Sequence, residues 1–277
     1  MSRTVLITGA SSGIGKTTAQ YFAQQGWNVI ATMRNPDAGS ELASNPNIFI
    51  TRLDVEDAAS ITSAIEAGIA RFGKIDALVN NAGFGLAGIF ETTPREKVLQ
   101  QFNVNVFGVM DTTRAILPHF RSNKSGVILN IGSGAGVFAL PVLSLYCASK
   151  FALEGFSEAL SYELASQNIQ VKMIEPGGVL STNFGKRSQL EAVQNSTIAD
   201  YNEFATQAAA LFAGLRANRH ATELDVAEVI YLATTDGTDQ LRYVATKDIE
   251  PLVKMRRETS EAEYMAFMRS QFQAKSN

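Results

Sequence analysis

The feature that most constrains this chain is an alternation. Short apolar runs, each closed by glycine or a polar residue, take turns with longer stretches whose apolar residues recur at helical spacing. Thr4 to Thr8 (TVLIT) is the first run; Ile14, Ala19, Phe22 and Ala23 then mark a helix over 14–25 that stops at Gly26. Strand-like runs follow at Asn28–Thr32, Ile48–Leu53, Ile75–Asn80, Val127–Ile131 and Ile169–Glu175, with a weaker one at Leu241–Ala245. Helical pattern fills 57–72, 95–121 and 145–166 between them. Strands that are apolar throughout need cover on both faces, so the pattern predicts a parallel sheet flanked by helices. Right-handed crossovers make a doubly wound α/β sheet the default, with about seven strands in the order 3-2-1-4-5-6-7. Ligands of such sheets bind beyond the carboxyl ends of the strands, where the winding reverses.

Composition narrows the setting. With 277 residues, 45% of them apolar, the chain supports one sizeable core, and 1–277 reads as a single domain. The net charge is −3 with both signs interspersed, so no basic stripe points to nucleic acid and no polybasic cluster to a membrane surface. No apolar run is long enough to span a bilayer. The opening MSRTVLITGA passes directly into the first strand, which leads us to expect no signal peptide. The lone cysteine, Cys147, has no partner for an internal disulfide, and His119 and His220 are too far apart in sequence to suggest a metal site. A cytoplasmic protein is the expectation.

The first strand-to-helix junction carries TGASSGIG, Thr8 to Gly15. Gly9 can turn tightly away from the strand, Gly13 leaves no side chain between backbone and ligand, and Gly15 lets helix and strand pack closely. Ser11, Ser12 and Ile14 share this loop and first turn, where unpaired N–H groups and the positive end of the helix dipole suit a pyrophosphate. The spacing Gly-x-x-x-Gly-x-Gly departs from the more familiar G-x-G-x-x-G. A tight turn without a ligand is the plain alternative; the position of the motif, after a first strand and opening a helix, favours the nucleotide.

A second polar group gathers further on. NIGSGAG, residues 130–136, ends the fifth run, and SLYCASK, residues 144–150, opens the next helix. Tyr146 and Lys150, four apart, share a helix face. An ammonium beside a phenol favours the phenolate, lowering a pKa ordinarily near 10 and making the hydroxyl a usable proton carrier. Ser133, thirteen residues before Tyr146, is placed to hydrogen-bond an oxygen on which charge develops. With no histidine near it in the pattern, Ser133 does not read as a nucleophile. Any one of these residues alone is ordinary structure; their conjunction carries the weight. Cys147 points about 100° away around the helix, toward the core.

TGASSGIG, NNAG at Asn80–Gly83, Asn105 within FNVNVFG, Ser133, the Tyr146–Lys150 pair and PGG at Pro176–Gly178 together resemble the motifs of the classical short-chain dehydrogenase/reductase family, in order and spacing, from residue 3 to about 180. The resemblance implies a Rossmann-type fold and reversible hydride transfer between a nicotinamide cofactor and a carbonyl or alcohol carbon. Tyr146 would then be the acid/base, Ser133 would orient the oxygen, Lys150 would tune Tyr146 and bind the ribose, and Asn105 would hold a water that links Lys150 to solvent. It further implies that Asp54 and Val55 contact adenine, and that Asn81, Ala82 and Gly83 line the adenosine ribose side. Pro176, Gly177 and Val179 would turn beneath the nicotinamide, with a hydroxyl of Thr182, or of Ser181, on its carboxamide. Asp54 equally suits a helix cap. The family's acidic position at the end of the second strand falls on Met33, with Arg34 next. A neutral residue followed by a guanidinium suits a 2′-phosphate, so NADP(H) is expected over NAD(H). The alternatives are an NAD(H)-dependent alcohol dehydrogenase of the same family and a catalytically silent NADP(H)-binding sensor.

Beyond residue 180 the resemblance weakens, and the Gly-rich ending of many family members is missing. Residues 180–221 break the rhythm and read as an insertion covering the substrate; 248–277 reads as a helical C-terminal extension with Met255, Tyr264, Met265, Phe267, Met268 and Phe272 available to pack. Phe84, Leu86, Phe138, Leu140, Val142, Leu143 and Phe184 are candidates for an apolar pocket, which points to a bulky or apolar carbonyl or alcohol. Family members often pair through the helices at 95–121 and 145–166, so the resemblance implies a homodimer or homotetramer.

Overall fold

A computed structural model describes residues 2–179, 198–217 and 220–272. Seven strands, β1 (Thr4–Ile7), β2 (Asn28–Met33), β3 (Ile48–Arg52), β4 (Ala77–Asn80), β5 (Gly126–Ile131), β6 (Ile169–Glu175) and β7 (Arg242–Val244), form one sheet. Their order is 3-2-1-4-5-6-7 and every pairing is parallel, as the alternation predicts. The winding reverses between β1 and β4, so the carboxyl ends of those two strands open the crevice.

Alternation along each strand divides the core in two. Val5, Ile7, Val29 and Ala31 pack with Ala19 and Phe22 of α1 (Gly13–Gln24), and with Val226 and Ile230 of a helix over Glu223–Thr235. Leu6, Ile30 and Leu78 face the other way, onto α2 (Ala58–Phe72) and two further helices, Gly108–Asn123 and Ser144–Ala165. Both faces are covered, so the strand residues that meet the helices are mainly apolar. On the first face Phe22, Trp27 and Tyr231 meet edge to face, with ring centroids 5.1 to 6.3 Å apart.

The helix expected over 95–121 is not continuous. α3 (Arg95–Phe102) passes through a π-helical turn, Asn103–Phe107, into α4 (Gly108–Asn123). Two buried amides, Gln101 and Asn105, flank and enter the break. Gln101 accepts from Leu86 N at 2.8 Å and donates to Phe84 O at 2.7 Å. Asn105 accepts from Phe84 N at 3.1 Å, so both amides face the loop after β4. Hydrophobic periodicity does not register one surplus residue in a turn.

α5 (Ser144–Ala165) leads to β6, and the described part of 180–221 contains α6 (Asn202–Ala217), followed by α7 (Glu223–Thr235). Ser181, Thr182 and Phe184 lie outside the described residues. Residues 248–272 are two helices, α8 (Glu250–Glu258) and α9 (Glu261–Phe272). They part at Ser260, whose hydroxyl accepts from Glu263 N at 3.3 Å while Glu263 accepts from Ser260 N at 3.0 Å, a reciprocal cap that starts a new helix. Val253, Tyr264 and Met268 of this pair pack on Val137 and Phe138, beside the loop after β5. Among the described residues no helix is long and apolar enough to cross a membrane, and no group of three or more His, Cys, Asp or Glu could hold a metal ion.

Candidate active site

The glycine loop is built from two strands. Gly9 and Gly13 have φ of 68° and 54°, the left-handed region that favours glycine. Thr8 Oγ1 accepts from Asn81 N and Ala82 N, each at 3.0 Å, and Asn81 Nδ2 donates to Thr8 O at 2.9 Å and Gly9 O at 3.1 Å. The NNAG stretch after β4 therefore fixes the TGASSGIG loop after β1. A methyl group on Gly9 would come within 2.9 Å of Ala82 Cα, and one on Gly15 would collide with Gly9 O. No side chain caps α1 and no acidic residue occupies its first turn, so its N–H groups remain available to an anion.

A cavity of about 790 Å³ opens above these loops. Every described residue expected to meet a cofactor lines it, from Gly9, Arg34 and Asp54 at one end to Pro176, Gly177 and Val179 at the other. Asp54 does not cap α2: that cap is Asp57, which accepts from Ala59 N and Ser60 N, while Asp54 accepts from Glu56 N at 3.2 Å. Asp54 lies too early to cap, because α2 starts at Ala58 and its N-cap position falls on Asp57. The turn after β6 is held from a distance. Gly134 N donates to Pro176 O at 2.9 Å, Gly177 N to Thr246 Oγ1 at 2.8 Å, and Gly178 N to Asp248 Oδ2 at 3.3 Å. Thr246 and Asp248 carry no local sequence signal for this role.

Ser133, Tyr146 and Lys150 all line the same cavity. Tyr146 packs against Ala135, Cys147 and Leu143, with its hydroxyl hydrogen-bonded to Ser133. Lys150 Nζ donates to Ile131 O at 2.8 Å and stands 5.8 Å from the centroid of the Tyr146 ring. The electrostatics differ from the expectation that the ammonium draws the phenol down. Burial pushes Tyr146 up to about 12, with the Ser133 hydroxyl opposing. Burial also lowers Lys150 to about 8, with the charge of Glu154 opposing. The reason is placement: the ammonium is tied to the last carbonyl of β5, and desolvation of the phenol prevails. In this arrangement the phenol is a protonated donor at neutral pH.

Asn105 stands behind the cavity, 1% exposed. Its Nδ2 donates to Phe84 O at 2.9 Å and to Ser149 Oγ at 3.2 Å, tying the loop after β4 to α5. The side chain is thus engaged with the protein on its acceptor and its donors, and does not reach the cavity itself.

The remaining wall is apolar. Phe84, Phe138, Leu140 and Leu143 line it as expected, whereas Leu86 is sealed into the core. Val142 faces a neighbouring depression of about 410 Å³, with Phe90, Tyr201 and Phe204. It does so at φ 54°, an unusual conformation for a β-branched residue, with its carbonyl accepting from Gly88 N at 2.8 Å. Phe212 and Leu215 of α6, Leu252 of α8 and Phe272 of α9 complete the wall.

A doubly wound parallel sheet with a glycine cradle at its switch point, and a Ser, Tyr and Lys in the same crevice, defines a Rossmann-type nucleotide-binding oxidoreductase. The family's model, described as short chain dehydrogenase, matches residues 3–192, and the chain belongs to that family. The 3-ketodihydrosphingosine reductase of Bacteroides thetaiotaomicron is 40% identical over 198 residues, 71% of each chain. Human 17-beta-hydroxysteroid dehydrogenase type 1 is 36% identical over 270 residues, 92% of this chain and 81% of its own. The crystal structure of a short-chain dehydrogenase from Streptomyces avermitilis superposes with a TM-score of 0.82 at 31% identity, covering 98% of this chain and 97% of that one. Other solved structures of this fold hold NADP or NAD.

Proposed function

We propose that this protein is an NADP(H)-dependent carbonyl reductase that interconverts a bulky, apolar ketone or aldehyde with its alcohol. The observation that carries the reading is the presence of Ser133, Tyr146 and Lys150 in the wall of the cavity that begins at the glycine cradle. A bound nicotinamide dinucleotide supplies the hydride. The backbone N–H groups at the start of α1 hold its pyrophosphate, and Gly9 and Gly13 keep side chains out of the way. Lys150 holds the ribose hydroxyls through Nζ. Ser133 donates to the substrate oxygen, and Tyr146 Oη delivers the proton that completes the alcohol. Asn105 keeps the backbone around Phe84 and Ser149 in register. The described helix α6, with α8 and α9, walls the substrate side and supports reading 180–221 as its cover.

NADP(H) is favoured over NAD(H) by the end of β2. Met33 is 2% exposed, and its thioether lies against Gly39, where a methyl group would come within 2.6 Å of Met33 Cε. Arg34 is exposed on the cavity wall and ion-pairs with no described residue, so its guanidinium is available to a 2′-phosphate. Arg34→Ala should weaken NADPH binding by about 10- to 100-fold and leave NADH within a few-fold, measured by nucleotide fluorescence. An equal loss for both would refute the assignment of Arg34. For the substrate, the apolar wall agrees with the names of two relatives, which concern 3-ketodihydrosphingosine and a hydroxysteroid. The deciding assay follows reduced-nicotinamide absorbance with a panel of apolar and polar carbonyls and both cofactors. Turnover of apolar ketones with NADPH is expected; a protein that binds NADPH yet reduces none of them is a sensor, not a reductase.

The exposed surface supports assembly. Leu99, Phe107, Phe151 and Tyr162, on α3 to α5 and the turn between, are 45%, 50%, 42% and 72% exposed. A homodimer or homotetramer that buries them is expected, and light scattering that returns the monomer mass of 29.9 kDa would exclude it.

A further inference from the structure

Beneath the site lies a charge cluster with two buried carboxyls at its centre. Glu154, one helical turn after Lys150 on α5, is 8% exposed, and Glu175, the last residue of β6, is fully buried. Arg242 of β7 donates to Glu154 Oε2 at 2.9 Å and to Glu158 Oε2 at 2.5 Å, and stands 3.9 Å from Glu175 Oε1. Arg257 of α8 donates to Glu175 Oε1 at 2.5 Å. Three carboxyls thus face two guanidiniums, and among the described residues Glu154 Oε1 and Glu175 Oε2 find no hydrogen-bond partner. A buried carboxylate without full pairing is costly, and a proton on one of the two buried carboxyls relieves that cost. Burial and the neighbouring Glu175 together push Glu154 up to about 7, against the pull of Arg242 and Arg257.

Glu154 also supports the site from below. A methyl group on Gly136 would lie 3.1 Å from Glu154 Cγ, and one on Gly132 would lie 3.4 Å from Glu154 Oε1. The carboxyl therefore sits under the loop that carries Ser133. Its charge also favours the ammonium of Lys150, which burial alone drives down.

We propose, resting on the reductase reading above, that Glu154 is a positioning residue whose carboxyl takes up and releases a proton beneath the Gly132–Gly136 loop and so sets the charge of Lys150. The charged groups around it are Lys150 and Glu158 on its own helix, Glu175 on β6, Arg242 on β7 and Arg257 on α8. Below neutral pH the carboxyl is neutral and solvent protons suffice to keep Lys150 charged. As pH rises past about 7 the carboxyl ionises and holds the lysine proton. The alkaline limit of Lys150 thus depends on the charge of Glu154.

The test is Glu154→Gln, read by a lysine 13Cε NMR titration in which the Lys150 signal is assigned by its loss in Lys150→Met. The Lys150 midpoint should fall by at least about half a pH unit. Relative to wild type, kcat/KM for carbonyl reduction should then drop about threefold more at pH 8.5 than at pH 6.5. An unmoved midpoint with a uniform loss at every pH is what a merely structural role gives, and overturns the proposal. The lysine titration needs no substrate, so it judges Glu154 even if no carbonyl is turned over. Should Glu154→Gln not fold, the infrared spectrum of the wild type decides. A buried protonated carboxyl band that vanishes between about pH 6 and 8 supports the proposal, and its absence overturns it.

Discussion

Tyr146→Phe should lower kcat/KM for carbonyl reduction by about 10²- to 10⁴-fold, the usual contribution of a positioned proton donor. The substitution is narrow. It keeps the ring that packs on Ala135, Leu143 and Cys147 and removes one hydroxyl. Burial, which pushes that hydroxyl up to about 12, keeps it protonated throughout the neutral range and hence ready to donate. The neighbouring Ser133 hydroxyl is left to hydrogen-bond the substrate oxygen, but an alcohol is a far weaker acid than a phenol and does not replace the proton donor. NADPH affinity, measured in parallel, should stay within a few-fold, because on the proposed reading the pyrophosphate would be held at the start of α1, away from Tyr146. Equal rates for variant and wild type with a good ketone would remove Tyr146 from the chemistry.

The second large effect concerns stability. Phe22→Ala should destabilise the fold by about 3–5 kcal/mol, seen as a lower denaturation midpoint at unchanged slope. Phe22 is fully buried, and it meets Trp27 and Tyr231 edge to face while packing α1 on the sheet. Removing its ring leaves a cavity between α1, α7 and β2 that these rigid aromatic neighbours cannot refill. A loss below about 1 kcal/mol would mean that the neighbours collapse into the space and that the aromatic cluster is not rigid.

The sheet was legible in the sequence because strands covered on both faces are rich in apolar and β-branched residues. TVLIT and IQVKMIE can hardly be anything else in an alternating chain, and the strand order then follows from handedness. The cradle was legible for a similar reason: Gly9 and Gly13 adopt a backbone conformation that other residues avoid. Tyr146 and Lys150 were visible as a helix-face pair, but their electrostatics were not. Which carbonyl captures an ammonium, and how deeply a phenol is buried, are settled by tertiary packing. The same holds for Thr246 and Asp248, which reach back about 70 residues to brace Gly177 and Gly178. It holds too for Phe212, Leu252 and Phe272, whose shared wall exists only once three helices converge. The cap at Ser260 was different. Ser260 and Glu263 carry a recognisable start signal, hidden inside a stretch that reads as helical on both sides.

The π-helical turn at Asn103–Phe107 has a consequence for how the chain can vary. An α-helix advances about 100° per residue, so one residue more or less turns everything downstream by that angle. Upstream of the turn Gln101 serves the loop after β4; downstream Val109, Ile116 and Phe120 serve the sheet. With a uniform helical phase, one of those two groups would face the wrong way. Length is therefore fixed in this segment more tightly than identity: exchanges of one side chain for another are local, whereas a single deletion would misalign half the rod with one of its two neighbours.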